Sequence, residues 1–518
     1  MTQTTAQPAA GPDASTPPDP FDVVVVGGGP AGVTAALRAR ELGAQRVALV
    51  EAGPLGGTCA NGGCVPVRAL AKAARLLRDA GQFAEFGLPA ATPASPPAAA
   101  FPAVMDRVHA IVARVHEKKN LAHTLQLSGV QVFAGLGDAR LIDAARGIRL
   151  GDGRVLCSHK LILCAGGRPR RLDIPGGHLA SIIHDVWNLR ALPRRLVVIG
   201  AAATGCQLAS IFRTFGSEVC LLEMADRLLP GSDADVSAAI AAAFARAGIR
   251  VVTSVKAVTR IDEAADGTRR LTCRVPVEGH DPEATRELHI DADVVLASIG
   301  WPGNADRLGA ADAGLEVERA GYVKVNEYQQ TNLPHVFAAG DSDGRMMLVQ
   351  TAGYEGPLAA ENAVLGLRRR CEHLVVPHGG FTDPEYGSVG LSEHEARRKL
   401  GDDAVAIAVA PYTDLDRAVI DGRTEGFCKL LADRSTRQII GAHVVGEDAT
   451  EIVQIAAAAM TGGMPIERLA DLQLSYPTFT GVIGLAAREL ARDLGAVALA
   501  GPWSEMDLPR PADWERRG

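Results

Sequence analysis

Cys59 and Cys64 are separated by four residues in the run Gly56-Gly57-Thr58-Cys59-Ala60-Asn61-Gly62-Gly63-Cys64-Val65-Pro66, which opens a helical stretch. Cysteines at this spacing can close a disulfide around one helical turn. A helix N-terminus also lowers a thiolate's pKa, which suits a nucleophilic sulfur. A metal pair or an inert buried pair shares the spacing, but no His/Cys cluster lies nearby. The thirteen histidines show neither HxxxH nor HExxH, so no protein-held metal is expected. The other seven cysteines sit mostly in apolar runs and read as small core residues.

Upstream lies Gly27-Gly28-Gly29-Pro30-Ala31-Gly32. Gly27 allows a tight turn, Gly29 lets backbone approach a pyrophosphate, and Gly32 lets a helix pack closely on a sheet. Glu51, nineteen residues after Gly32, is placed to accept a ribose hydroxyl. The pattern recurs in Gly200-Ala201-Ala202-Ala203-Thr204-Gly205, with Glu223 eighteen residues after Gly205. The recurrence implies two nucleotide sites on one chain. A carboxylate at Glu223 binds a 2′-hydroxyl and repels a 2′-phosphate, which favours NAD(H) over NADP(H), with Arg227 near enough to soften the preference.

The elements that must position these residues are legible around them. Phe21–Val26 reads as a strand, Val33–Leu42 as a helix and Arg46–Val50 as a second strand. The later copy reads as strand Arg195–Ile199, helix Cys206–Phe215 and strand Glu218–Leu222. Both are βαβ dinucleotide units. Ala91–Ala100 reads as a loop, Arg107–Leu127 as one long helix, and Asp293–Ile299 and His335–Ala338 as strands. From about Phe381 the texture becomes α+β, with strands Phe427–Leu431 and Gln438–Val445 and helices Ala449–Thr461 and Gly481–Asp493. His443 reads as a structural histidine inside a strand. Glu447 and Glu451 read as acids serving a helix dipole, outside the site.

The 518 residues suggest three to four domains at roughly 150 each. Lys+Arg 53 against Asp+Glu 60 gives −7, which argues against a nucleic-acid surface. There is no run of 18 apolar residues, so no membrane span is expected. The first twenty residues lack the features of a secretory signal and read as a flexible leader. Nine cysteines are too few for a disulfide scaffold, and the whole fits a cytoplasmic multidomain enzyme.

The segment GGTCANGGCVP resembles the active-site disulfide of the flavin-dependent pyridine nucleotide–disulfide oxidoreductases, which include dihydrolipoamide dehydrogenase and mercuric reductase. The likeness runs from about Phe21 to Asp493. It continues through Cys164-Ala165-Gly166-Gly167-Arg168-Pro169, Ser298-Ile299-Gly300-Trp301-Pro302-Gly303-Asn304, Thr331–Asp341 and Gly441–Gly446. The resemblance implies an α/β fold: two Rossmann-like dinucleotide-binding domains plus a C-terminal α+β dimerisation domain. The implied boundaries are a leader at 1–20, an FAD domain at 21–190 completed by about 316–375, an NAD(P) domain at 191–315, a dimerisation domain at 376–500 and a tail at 501–518.

It also implies roles. FAD would be held by Gly27, Gly29, Pro30, Ala31, Gly32, Glu51, Gly57, Thr58, Arg68, Gly137, Ala165, Gly166 and Asp341, with Val349 contacting it through backbone. The nicotinamide cofactor would be held by Gly200, Ala202, Ala203, Gly205, Gln207 and Glu223, with Gly300 closing over it. Cys59 and Cys64 would form the redox disulfide, Cys64 nearer the flavin and Cys59 exchanging with substrate. The implied activity passes electrons from NAD(P)H through flavin and this disulfide. The acceptor would be a small or protein-borne disulfide, a dithiol-type compound or a thiol-reactive, mercuric-ion-like species, and the enzyme a homodimer. The alternative is an NADH oxidase, quinone reductase or transhydrogenase that bypasses the cysteines, motivated by Ala203 where the family has an aromatic gate.

Other positions depart from the family too. Tyr476 stands where a catalytic histidine is expected and Gly481 where its orienting glutamate is expected. Mercuric reductases share the tyrosine but end in a vicinal cysteine pair that this chain lacks. Arg68 replaces a lysine, and Gln207 replaces the glutamate that pairs with it. Lysine plus glutamate sums to zero and Arg68 plus Gln207 to +1, so an uncompensated cation favouring thiolate is expected near the sulfurs.

Overall fold

A computed structural model describes residues 19–89, 97–277, 284–497 and Trp514. Most of the leader, nearly all of the tail and the first part of the expected loop Ala91–Ala100 lie outside the described residues. The chain divides into two compact units. One comprises Met1–Cys59, His116–Arg168 and Pro302–Glu372, the other Ala60–Val115, Pro169–Trp301 and His373–Gly518. These cuts differ from the expected boundaries. The helix that begins at Cys64 belongs to the second unit, together with the segments expected to bind nicotinamide and to dimerise.

In the first unit, the Phe21–Val26 strand is apolar at nearly every position and almost wholly buried, as suits a parallel strand covered on both faces. It pairs in parallel with Val47–Glu51 and Val155–Leu163, and Val336–Ala338 pairs in parallel with Val155–Leu163. Register decides what gathers at one edge. Val26 lies opposite Val50 and Leu163, Leu163 opposite Ala338, and Glu51 opposite Ala134. The turns at Gly27, Glu51, Gly137, Ala165-Gly166 and Asp341 therefore all leave the carboxyl ends of the strands, where open α/β sheets bind ligands.

The second unit repeats this plan in a four-stranded parallel sheet ordered Val294–Ala297, Arg195–Ile199, Glu218–Leu222, Arg250–Val252. Ile199 lies opposite Leu222 and Ala297, so Gly200, Glu223 and the run to Gly300 share one edge. The unit also holds an antiparallel sheet of His378–Gly380, Tyr386–Gly390, Ile439–Val445, Phe427–Asp433 and Val405–Pro411. Helices Ala449–Thr461 and Gly481–Asp493 pack on it. Buried His443 meets Ser388 Oγ and the Leu391 carbonyl, each at 3.0 Å, a structural role.

Four element expectations need correction. The helix after Gly29 starts at Pro30, not Val33, because proline suits the first helical position, where its missing N–H costs nothing. Its counterpart likewise starts at Ala203, not Cys206. The helix expected over Arg107–Leu127 is two, Pro97–Lys119 and Leu121–Leu127, broken where Asn120 takes a φ of 44°. The expected loop therefore ends in helix from Pro97. No helix among the described residues is long and apolar enough to cross a membrane.

Candidate functional site

In the first unit a Cβ on Gly27 would stand 2.0 Å from the Cys164 carbonyl oxygen, and one on Gly32 would stand 1.7 Å from that of Gly27. The strand, turn and helix are that close. A Cβ on Gly57 would stand 2.8 Å from the Gly29 Cα, so two side-chain-free backbones face each other at the helix start. Gly29 caps helix Pro30–Glu41 without a side-chain hydrogen bond, which leaves the N-terminal amides facing this gap. Ala31 is buried in the same helix, and Thr58 follows Gly57 on the short helix Gly57–Asn61.

Glu51 was expected to accept from a ribose. Its carboxylate already accepts from Gly28 N–H at 2.6 Å and Gly53 N–H at 2.8 Å. These bonds aim it, and each oxygen keeps a second lone pair. Gly166 N–H donates to Ser342 Oγ at 2.8 Å, and Asn304 Nδ2 donates to the Ala165 carbonyl at 2.8 Å. Asp341 sits on the turn Gly340–Ser342. Burial, with Asp343 nearby, pushes it up to about 6. Gly137 turns at a φ of 77°, and Val349 starts the helix Val349–Leu365. Close glycine backbones, an open helix terminus, an aimed acid and a desolvated aspartate together fit FAD.

The second unit copies this geometry. A Cβ on Gly200 would lie 2.2 Å from the Ser298 carbonyl oxygen, and one on Gly205 would lie 1.9 Å from that of Gly200. The cap residue Ala202 has the dihedrals of Gly29, φ −76° and ψ −174°. Glu223 accepts from Ala201 N–H at 2.6 Å and Ala225 N–H at 2.8 Å. Arg227 donates to the carbonyls of Pro230 and Ser232, so its guanidinium is engaged in its own loop. Gly300, at a φ of 114°, accepts from Arg170 N–H at 3.0 Å.

Cys59 lies half-buried on helix Gly57–Asn61, and exposed Cys64 is the first residue of helix Cys64–Ala80. Arg68 is one turn on from Cys64 and so on the same face. The expectation of an uncompensated Arg68 is wrong. Its Nη1 lies 2.5 Å from Glu385 Oε1, and its guanidinium sits 4.3 Å over the Phe381 ring. Arg75 pairs with the same carboxylate, whose side chain is 1% exposed. The residual +1 belongs to the three-residue cluster, because a buried acid draws both arginines toward itself.

Gln207 binds backbone instead of Arg68. Its Oε1 accepts from Phe381 N–H at 3.2 Å, and its Nε2 donates to the Ala203 carbonyl at 2.9 Å. A cavity of about 740 Å³ runs along the helix from Cys64 past Arg68, Lys72 and Arg75 to Arg78 and Glu447. Arg78 pairs with Asp383 at 2.7 Å and Glu447 at 3.1 Å, so Glu447, set aside on its sequence position, lines this cavity.

Tyr476 is 58% exposed, and its hydroxyl donates to Asp416 Oδ2 at 2.5 Å. Gly481 cannot orient it, but Asp416, at the start of helix Asp416–Ile420, does. Nothing in the sequence marks Asp416 or Glu385, since neither lies in a motif with its partner.

The chain matches the model of the pyridine nucleotide-disulphide oxidoreductase family over residues 21–356 and that of its dimerisation domain over 376–487. It belongs to the pyridine nucleotide-disulphide oxidoreductase family. Curated relatives include a dihydrolipoyl dehydrogenase of Zymomonas mobilis, 30% identical over 89% of this chain and 96% of the relative. A mercuric reductase of Staphylococcus aureus is 30% identical over 92% and 84%, and a glutathione reductase of Nostoc sp. is 31% identical over 86% and 94%. The fold is that of the HOCl-induced flavoprotein disulfide reductase RclA from Escherichia coli, with a TM-score of 0.77 at 23% identity over 90% of this chain and 99% of that one. Members of the family are FAD-dependent oxidoreductases.

Glu385→Gln leaves two guanidiniums against a neutral amide. The expected cost is on the order of 2–3 kcal/mol, below that of a fully buried pair because Arg68 is 41% exposed. Cys64 should also alkylate faster at pH 7, since unneutralised cations favour thiolate. Thermal melts and timed alkylation check both, and an unchanged Tm with an unchanged rate would show the pairing has no effect.

Proposed function

We propose that the chain is an FAD-dependent, NAD(H)-preferring disulfide oxidoreductase. It acts as a cytoplasmic homodimer and reduces a small or protein-borne disulfide, a dithiol-type compound or a thiol-reactive acceptor through Cys59 and Cys64. The observation that carries this reading is the duplicated cradle on one chain, with the cysteine pair following the first copy. Low cysteine content suits a reducing compartment. The net charge of −7 suits neither nucleic acid nor an acidic membrane surface.

Bound FAD and nicotinamide would supply the two-electron transfer that reduces the sulfurs. The chain's own residues do the exchange. The Cys59 thiolate attacks one sulfur of an acceptor disulfide, whose S–S bond breaks and releases a thiolate. The Cys64 thiolate then attacks Cys59 Sγ, releases the second acceptor thiolate and closes the Cys59–Cys64 bond. The helix N-terminus at Cys64 favours negative charge on that sulfur. Tyr476 of the partner subunit would face this exchange.

Cys59→Ser and Cys64→Ser should each abolish NADH-driven reduction of a disulfide such as lipoamide or oxidised glutathione, while bound flavin is retained. Acceptor reduction at the wild-type rate in both variants would instead favour direct transfer from flavin to oxygen or a quinone.

Glu223 is held by two backbone amides, with its lone pairs aimed across the turn. A 2′-phosphate there meets a fixed negative charge, so kcat/KM should favour NADH by about tenfold or more. A tenfold preference for NADPH would place Glu223 away from the ribose.

Oxidising a dithiol needs a base that loads and releases protons near neutral pH. A phenol, with a reference pKa of about 10, is a poor base in that range. Dihydrolipoamide oxidation by NAD should therefore run about a hundredfold below that of a histidine-bearing relative, the low end of general-base help. Tyr476→His with Gly481→Glu should recover part of the loss in an assay at pH 8. A wild-type rate equal to the relative's would mean that another base serves the site.

A further inference from the structure

We propose that Trp187 and His184 pin the loop between the two cysteines, and that Trp187 thereby sets the disulfide–dithiol equilibrium of the pair. The inference rests on the reading of Cys59 and Cys64 as the redox couple. The residues between them end in Gly62-Gly63, and consecutive glycines have the widest backbone freedom available to a chain. Left to itself this loop would let the two sulfurs wander apart whenever they are reduced, which lowers the effective concentration of one thiol at the other.

The structure supplies a restraint at the middle of the loop. Trp187, 7% exposed, donates its indole N–H to the Gly62 carbonyl at 3.0 Å. A Cβ on Gly62 would stand 2.8 Å from His184 Cδ2 and 3.5 Å from Trp187 Nε1, so the two rings fill the space a side chain would need. The His184 ring in turn meets Trp301 edge-on, with centroids 6.2 Å apart.

The pin is anchored. His184 lies in the one-turn helix Ile183–Val186, which Trp187 ends, and Asp185 Oδ2 caps its start by accepting from Ile182 N–H at 2.8 Å. Ile183 and Val186 share a core with Val67 and Leu70 of the helix that Cys64 begins. The donor is therefore held by the same packing that holds that helix. Burial lowers the His184 pKa from its ordinary 6.5, so the ring packs there uncharged at neutral pH. In the disulfide state the covalent ring restrains the loop anyway. In the dithiol state that covalent restraint is gone and the pin carries more of the load, so losing the pin frees the dithiol more than the disulfide.

The test uses full-length, FAD-loaded protein equilibrated without oxygen in glutathione buffers at pH 7. Two glutathiones reduce the pair to two thiols and yield one glutathione disulfide, and alkylation followed by mass measurement reports the fraction reduced. Trp187→Phe keeps an aromatic ring and loses the donor. It should shift the equilibrium constant about three- to tenfold toward the dithiol, the range set by one hydrogen bond. Gly62→Ala should shift it the same way, and His184→Ala added to Gly62→Ala should restore most of the wild-type value by clearing the clash. Trp187→Phe and Gly62→Ala proteins that lose thermal stability but keep the wild-type equilibrium would overturn the proposal, leaving Trp187 a packing residue. A double variant no closer to wild type than Gly62→Ala alone would overturn the part assigned to His184. A wild-type pair that never interconverts would instead overturn the reading of the couple itself.

Discussion

Both nucleotide cradles depend on one steric constraint, a helix that begins closer to the preceding turn than any side chain would allow. At Gly32 the space for a Cβ is taken by the Gly27 carbonyl at 1.7 Å, and at Gly205 by the Gly200 carbonyl at 1.9 Å. That approach turns the helix N-terminus toward the strand ends. Each strand-end acid then fastens the turn, Glu51 through Gly28 and Gly53, Glu223 through Ala201 and Ala225. The acids hold the turn before they hold any ligand. A change at either one alters the shape of its site as well as its charge.

Charge along the helix that Cys64 begins is managed from the C-terminal segment. Arg68, Arg75 and Arg78 project from the helix that Cys64 begins, and Glu385, Asp383 and Glu447 answer them. The buried Glu385 carboxylate is shared by two guanidiniums, so the field at the exposed Cys64 reflects the cluster and not Arg68 alone. The antiparallel sheet of the second unit, through the strand Tyr386–Gly390 that follows Glu385, thus reaches into the electrostatics around Cys64.

Relatives named for three different substrates match this chain at 30%, 30% and 31% identity, so overall likeness does not select a substrate. Local chemistry must. The tyrosine held by Asp416 is a hydrogen-bond donor with a fixed direction, unlike an imidazole that takes and gives protons near pH 7.

The duplicated βαβ units, the strand-end acids and the cysteine pair could be read from residue order because each is local. Close approach and backbone hydrogen bonding within some thirty residues demand particular residues at particular spacings. The same locality made the α/β fold class legible. The partners were decided only in three dimensions. Arg68 meets Glu385 across 317 residues, Tyr476 meets Asp416 across 60, and Trp187 meets Gly62 across 125. One side chain reaching a distant neighbour leaves no periodicity and no motif. Counting charges along the chain therefore missed the acid that pairs with Arg68, and only the packing of strands and helices brings the two together.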